Sequence, residues 1–177
     1  MNNDTAKLNS ALQTFFVTSI QELYWAETNL VNVLQTMTEA ATTRELKQAF
    51  ELHREQTMQH AQNLERVFAL LGYEPQAEPS VGLQGLFDEG WQVIDETEAG
   101  SAQRDVALII AAQKVEHYEI ACYGSLLTLA NTLGHSDVTA LLAPVLQEEK
   151  DTDSTLTAIA EGGINAQASE EPILQAS

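Results

Sequence analysis

The sequence predicts an all-α fold: an antiparallel four-helix bundle of two helical hairpins, with a short extra crossover helix between them. Three observations carry this. Four long stretches place apolar residues in alternating steps of three and four, the period of one helix face. Glycine and proline are few and fall between those stretches, with Pro144 as the exception. The connectors near residues 42 and 134 are too short for anything but a turn between antiparallel neighbours.

Residues 1–7 are polar, and a terminus of that kind is expected to fray. From Leu8 to about Ala41, one stripe contains Phe16, Ile20, Leu23, Glu27, Leu30, Leu34, Met37 and Ala41; only Glu27 is not apolar. Thr42-Thr43-Arg44-Glu45 reads as a capping box that stops this helix and starts the next. The second stripe is Leu46, Phe50, His53, Thr57, His60, Leu64, Val67 and Leu71, apolar at its ends and polar in its middle. Gly72 closes it.

The breaker-rich segment from Tyr73 to Gly82 follows, and then a shorter helix from Leu83 to about Glu98. This is expected to be a crossover and not a domain boundary, because neither half alone would bury its stripe. The third long helix spans about Ala102 to Leu133. Its stripe is Val106, Ile109, Gln113, Glu116, Ile120, Tyr123, Leu127 and Ala130, and Gly134 ends it. Ser136 or Asp137 is expected to cap the fourth, whose stripe is Val138, Leu142, Val145, Glu149, Thr152, Leu156 and Ile159. Pro144 should either kink that helix or mark its true start. Gly162 and Gly163 are expected to end it. The expected organisation is thus a frayed segment 1–7, one domain over 8–163, and a flexible tail over 164–177.

Composition narrows the function. The chain has 177 residues and is 44% hydrophobic, enough for one full-sized core. With 26 acidic against 8 basic residues the formal charge is −18, which disfavours nucleic acid and anionic membrane surfaces and favours cations. The single Cys122 has no internal disulfide partner, which suits a reducing compartment. No signal peptide is legible and no apolar run approaches bilayer length, so a cytoplasmic protein is expected.

The informative anomaly is a polar belt across all four stripes. Residues equidistant from a hairpin turn lie side by side, at about 1.5 Å per residue. Counting from residue 42, Glu27 is level with Thr57, and His53 and His60 lie one turn to either side. Counting from the second turn, Glu116 is level with Asp153 and Glu119 with Lys150, next to Glu149. If the hairpins dock, five carboxylates (Glu27, Glu116, Glu119, Glu149, Asp153) and the imidazoles of His53 and His60 meet in the core. The stripes contain no lysine or arginine to neutralise them. Two divalent cations would, and oxygen donors with one or two imidazoles suit iron or manganese, and less well zinc.

A single such His is ordinarily a hydrogen-bonded core residue, and a single such Glu ordinarily sits at the rim with its head in water. Coincidence at matched height in four stripes is what points to metal. His117 and Tyr24, beside the belt, and Thr57, within it, would support ligand carboxylates, although core filling is the ordinary role for Tyr24, Tyr118 and Tyr123. Glu22 is read as a rim ligand or a solvated charge, His135 as a turn residue, and Glu55, Glu65 and Glu148 as solvated.

With these motifs in hand, the sequence resembles the YciF-like family of bacterial stress-associated proteins, small members of the ferritin-like superfamily. The resemblance rests on Glu22-Leu23-Tyr24-Trp25-Ala26-Glu27, on His53-x-x-x-Thr57, on Gln113 to Ala121 (QKVEHYEIA) with Tyr123-Gly124 beyond, and on Glu148-Glu149-Lys150-x-x-Asp153. It spans about residues 10–160. It implies a ferritin-like bundle with a dinuclear metal centre between the helices and a role in stress. The broader ferritin-like pattern has a Glu-x-x-His pair in each half. Here Thr57-x-x-His60 stands at that height, with Thr57 where the Glu would be.

Two classes of function follow. In the first, Glu27, Glu116, Glu119, Glu149 and Asp153 with His53 and His60 hold two Fe(II) or Mn(II) ions that meet oxygen or peroxide. In the second, the protein is a non-catalytic structural or interaction protein with a vestigial or purely structural site. Iron storage is a third and weaker reading, since it needs a closed shell of subunits. A homodimer is expected through the Leu83–Glu98 helix and off-stripe residues such as Phe15, Phe68 and Leu70.

Overall fold

The structure is a computed structural model that describes residues 10–172. The expected frayed segment 1–7 lies outside these. The described chain is all-helical: α1 Ala11–Ala40, α2 Arg44–Leu71, α3 Val81–Glu96, α4 Ala102–Leu133, α5 Ser136–Ile159, a π-helical turn Ala160–Ile164 and α6 Asn165–Glu170. Helix α1 packs along α2 and α4 along α5. The two hairpins close on each other through α2 against α5 and α1 against α4. Among the described residues, no helix is long and apolar enough to cross a membrane.

The helix ends follow local chemistry in most places. Ser10 accepts the Gln13 N–H at the start of α1, and Ser101 does the same for Arg104 at the start of α4. Gly72 and Gly134 close α2 and α4 in the left-handed conformation, at φ 77° and 87°. The capping box expected at Thr42–Glu45 does not form: Thr43 is the N-cap and makes no side-chain cap bond. Instead Asp105, fully buried on α4, accepts the backbone N–H groups of Thr42 (2.6 Å) and Thr43 (2.8 Å). A carboxylate from the other hairpin satisfies the orphan donors of the turn and ties the hairpins together. Helix α5 starts at Ser136, with His135 as N-cap, and runs through Pro144 without stopping. Pro144 is exposed, so the carbonyl it leaves free faces solvent.

The crossover helix lies over α4 and α1 through Leu83, Phe87 and Gly90, with Phe87 stacked on Trp25. A side-chain carbon at Gly82 would stand 2.7 Å from the Tyr118 ring, so the close approach requires glycine. Arg104 is buried and donates to the carbonyls of Ile94 and Thr97, closing the last turn of α3.

Of the expected flexible tail over 164–177, residues 164–172 are docked and largely helical, while 173–177 lie outside the described residues. After α5 the chain widens into the π-helical turn, with Gly163 at φ 145°, and Ile164 is buried in the core. Helix α6 then brings the Glu171 carboxylate to the start of α4, where it accepts the N–H groups of Ala102 (2.6 Å) and Gln103 (2.9 Å). Gly162 and Gly163 let the chain bend without ending it, because an apolar anchor and an anion partner lie just beyond.

Phe16, Phe50, Phe68, Ile20, Leu34, Leu46, Leu64, Leu108, Ile109 and Leu126 are large, fully buried apolar side chains of the four long helices. Each contributes about 1.5–3 kcal/mol by leaving water. Phe68, expected to be available to a partner, belongs to this core and meets Tyr24 edge-on. Phe15 and Leu70 are exposed, as expected of off-stripe positions.

Candidate metal centre

Midway along the four long helices, the apolar packing gives way to Glu27 from α1, His53 and His60 from α2, Glu116 and Glu119 from α4, and Glu149 from α5. All six are at most 2% exposed. The helical period delivers them. Glu27 follows Ile20 and Leu23 on one row, His53 and His60 are seven residues apart, or two turns, and Glu116 and Glu119 are one turn apart.

The geometry has two lobes that share Glu149. In one lobe, His53 Nε2 lies 3.1 Å from Glu116 Oε1 and 3.9 Å from Glu149 Oε2. In the other, His60 Nδ1 lies 3.0 Å from Glu149 Oε1 and 3.6 Å from Glu27 Oε2. The first lobe, His53, Glu116, Glu119 and Glu149, and the second, Glu27, His60 and Glu149, each bring ligand-type atoms within 4.8 Å of one another. Glu149 turns one oxygen toward each imidazole.

These side chains do not satisfy each other. Glu27 Oε2, His53 Nε2, His60 Nδ1, Glu116 Oε2 and both oxygens of Glu119 and of Glu149 are buried and lack a hydrogen-bond partner. Buried polar groups are paired in nearly every fold, so this concentration of unpaired donor atoms in one space is unusual. The donors are carboxylate oxygens and imidazole nitrogens, which fit a pair of divalent cations. The residues present therefore fit the group that the sequence implied.

Without a cation, protons would be drawn in. Burial, and then the negative charges of Glu27, Glu149 and Glu116, push Glu119 well above the usual carboxylate range. Burial also raises Glu27, and raises Glu116 to about 7 although His53 partly opposes it. Glu149 is held below its ordinary value: burial would raise it, but the close approach of His60 and the charge of His53 prevail. Burial alone would lower both imidazoles, yet Glu116 and Glu149 bring His53 to about 9, and Glu149 and Glu27 bring His60 to about 11.

Asp153, expected among the oxygen ligands, stands outside both lobes. It accepts from Gln113 Nε2 at 3.1 Å and lies 3.5 Å from His117. The inward row of α5 runs Val145, Glu149, Thr152, Leu156, so Thr152 takes the place facing His53, at 3.4 Å from its Nδ1. Asp153 lies a further 100° around the helix. The expected supports also sit elsewhere. The His117 side chain is 69% exposed. Tyr24 donates to Glu65 (2.9 Å), and Thr57 donates to the carbonyl of His53 (2.9 Å). Glu22 is exposed, and His135 contacts Gln13 and stacks on Phe16.

Two contacts were not read from the sequence. Tyr123, expected chiefly to fill core, donates to Glu27 Oε1 from a fully buried position. It lies on the row of Glu119, one turn on, which is the signal that was there to use. Glu148, taken as solvated, reaches His60 Nε2 at 2.7 Å while its side chain stays 43% exposed. In the pair Glu148-Glu149 one residue points inward and its neighbour, 100° away, reaches the rim.

Comparison with known proteins places the chain in a family. The family described as "Domain of unknown function (DUF892)" matches residues 11–169. Protein YciF of Escherichia coli strain K12 is 40% identical over 161 residues, covering 89% of this chain and 95% of its own length. The crystal structure of the E. coli stress protein YciF matches with a TM-score of 0.83 at 37% identity, over 88% of this chain and 98% of that one. YcfI of Rhodopseudomonas palustris matches with a TM-score of 0.81 at 33% identity, over 84% of this chain and 94% of its own. By sequence and by fold, the chain belongs to the DUF892 family, that of YciF.

Proposed function

We propose that this protein is a ferritin-like antiparallel four-helix bundle that binds two divalent metal ions, iron first and manganese or zinc after it, between its helices. The single observation that carries this is the set of eight partnerless buried ligand atoms on Glu27, His53, His60, Glu116, Glu119 and Glu149. His53, Glu116 and Glu119 would hold one ion and Glu27 and His60 the other, with Glu149 offering an oxygen to each. When bound, a pair of Fe(II) or Mn(II) ions supplies electrons to oxygen or peroxide, which no side chain in the belt does. The chain's own work is to fix donors and exclude bulk water. Leu23, Ala26 and Leu30 on α1, with Ala112, Val115 and Leu126 on α4, are buried on those helices before and after the belt. Tyr123 donates its hydroxyl hydrogen to Glu27, and so holds that carboxylate in place.

The similarity to a protein described as a stress protein supports a stress-associated role for this chain as well, and a cytoplasmic setting is part of the same proposal. The same proposal includes a homodimer. The exposed Phe15 and Val81, beside an apolar groove of about 410 Å³ between α1, α3 and α4, favour it. Light scattering tests the dimer.

The metal reading is tested by purifying the protein under anaerobic conditions, counting metal by elemental analysis, and titrating stripped protein with Fe(II) or Mn(II). Two ions per chain and a rise in Tm are expected, because an ion bound only to the folded state stabilises it by mass action, about 2.7 kcal/mol at a hundredfold excess over Kd. No stoichiometric metal and no rise in Tm would leave the belt without a function in metal chemistry. Metal without consumption of oxygen or peroxide would instead favour a non-catalytic structural or interaction role.

A further inference from the structure

We infer that Glu148 is a positioning residue that aims His60 at the buried carboxylates, and that it thereby sets the affinity of the second ion subsite, Glu27, His60 and Glu149; this rests on the metal reading above. A neutral imidazole carries its hydrogen on one nitrogen and offers a lone pair on the other, and only the latter can bind a cation. His60 Nε2 lies 2.7 Å from Glu148 Oε2, and a carboxylate accepts, so when an ion displaces one ring proton the hydrogen that remains is the one on Nε2. That leaves Nδ1 facing Glu149 Oε1 at 3.0 Å and Glu27 Oε2 at 3.6 Å, where the second ion would sit. The carboxylate also fixes the ring plane and makes the donor nitrogen more basic.

The first subsite has no equivalent. His53 turns Nε2 inward, and its outer Nδ1 meets only the Thr152 hydroxyl, at 3.4 Å. A hydroxyl both donates and accepts, so it does not select a tautomer. The first subsite also draws on four residues and the second on three, one of which, Glu27, already gives an oxygen to Tyr123. The second subsite therefore depends on the alignment of one imidazole. Glu148 is suited to this because its side chain is 43% exposed: it reaches the centre from the rim and takes no part in the apolar layers.

The test is titration of metal-stripped protein with Mn(II), counting free ion by electron paramagnetic resonance, for wild type, E148A, E148Q and T152V, alongside the Tm of each stripped protein. In E148A the second ion should bind about 10–100-fold more weakly, while the first stays within about threefold of wild type. E148Q keeps an acceptor oxygen and should recover much of the second-site affinity. T152V should leave the second site unchanged, and the stripped proteins should melt alike. E148A filling both subsites like wild type would overturn the role of Glu148 while leaving the metal reading intact. So would a parallel loss at both subsites in E148A. A wild type that takes up neither Mn(II) nor Fe(II) would overturn both.

Discussion

Phe50 and His53 lie one turn apart on α2, and both are buried, at 1% and 2% exposure, yet different forces hold them. Phe50 sits in an apolar layer where every neighbour gains by leaving water. His53 sits in a belt where every group loses its hydration, and the available hydrogen bonds leave eight ligand atoms without a partner. One helix thus carries a region whose buried groups are satisfied by packing and a region whose buried ligand atoms lack hydrogen-bond partners. The difference teaches that folding and the proposed site are separable here: the layers make the bundle, and the belt gathers charged donors that packing alone does not satisfy.

The strongest break in this comparison is made in the layers. Phe50→Ala should destabilise the protein by about 3–5 kcal/mol in chemical denaturation, with metal or without it, because it opens a cavity in packed core. Next comes Glu119→Leu, which should act with opposite signs in the two states. Stripped of metal, the variant should be more stable than wild type by about 1–4 kcal/mol, since a buried carboxyl with no partner is replaced by an apolar side chain. Metal should then stabilise it less than it does wild type, because the first subsite has lost a donor. Destabilisation of the stripped variant would show that Glu119 is satisfied in the fold.

A third test uses pH. His53 (about 9) and His60 (about 11) are raised from 6.5, so their contribution is complete below about pH 6.5 and is lost as pH rises through those values. Glu116, raised from 4.5 to about 7, likewise binds a proton more tightly in the folded state, so stability falls as pH rises between those values. Glu27 and Glu119 act in the same direction, and only Glu149 opposes them, below pH 4.5. Calorimetry of stripped protein should therefore give a higher Tm at pH 5.5 than at pH 8, by the equivalent of at least about 1 kcal/mol. Protons and cations compete for the same atoms, so the rise in Tm on adding Mn(II) should be larger at pH 8. An equal rise at both values would place the ion outside the belt. The smallest effect is expected at Asp153→Ala, which should leave both the metal count and the Tm within error, since that side chain touches Gln113 and His117 and neither lobe.

Much of this layout was legible in the residues because two periods agreed. The step of three and four placed Glu27, His53, His60, Glu116 and Glu149 on inward rows, and counting from Gly134 and residue 42 put them at one height. Counting fixes height and not rotation, so it brings Asp153 level with Glu116 without showing that Thr152 is the residue that faces His53. Contacts between hairpins were out of reach for a different reason. Nothing local tells that Asp105 will hold the turn at Thr42, or that Glu148 rather than solvent will meet His60. Those pairings depend on how two rigid hairpins settle against each other. The tail failed likewise: glycine predicted an end, and burial of Ile164 with the anion site at Ala102 turned it into a bend.

The Glu171 carboxylate, seated on the first amides of α4, has a practical consequence for anyone shortening or tagging the molecule. Trimming ahead of residue 171 looks harmless on a plot of sequence complexity, but it would strip the anion from the start of the longest rod and free Ile164 to leave its seat. Affinity handles are better joined beyond residue 172, or at the other terminus, and a crystallographer seeking a minimal fragment should keep the last turn.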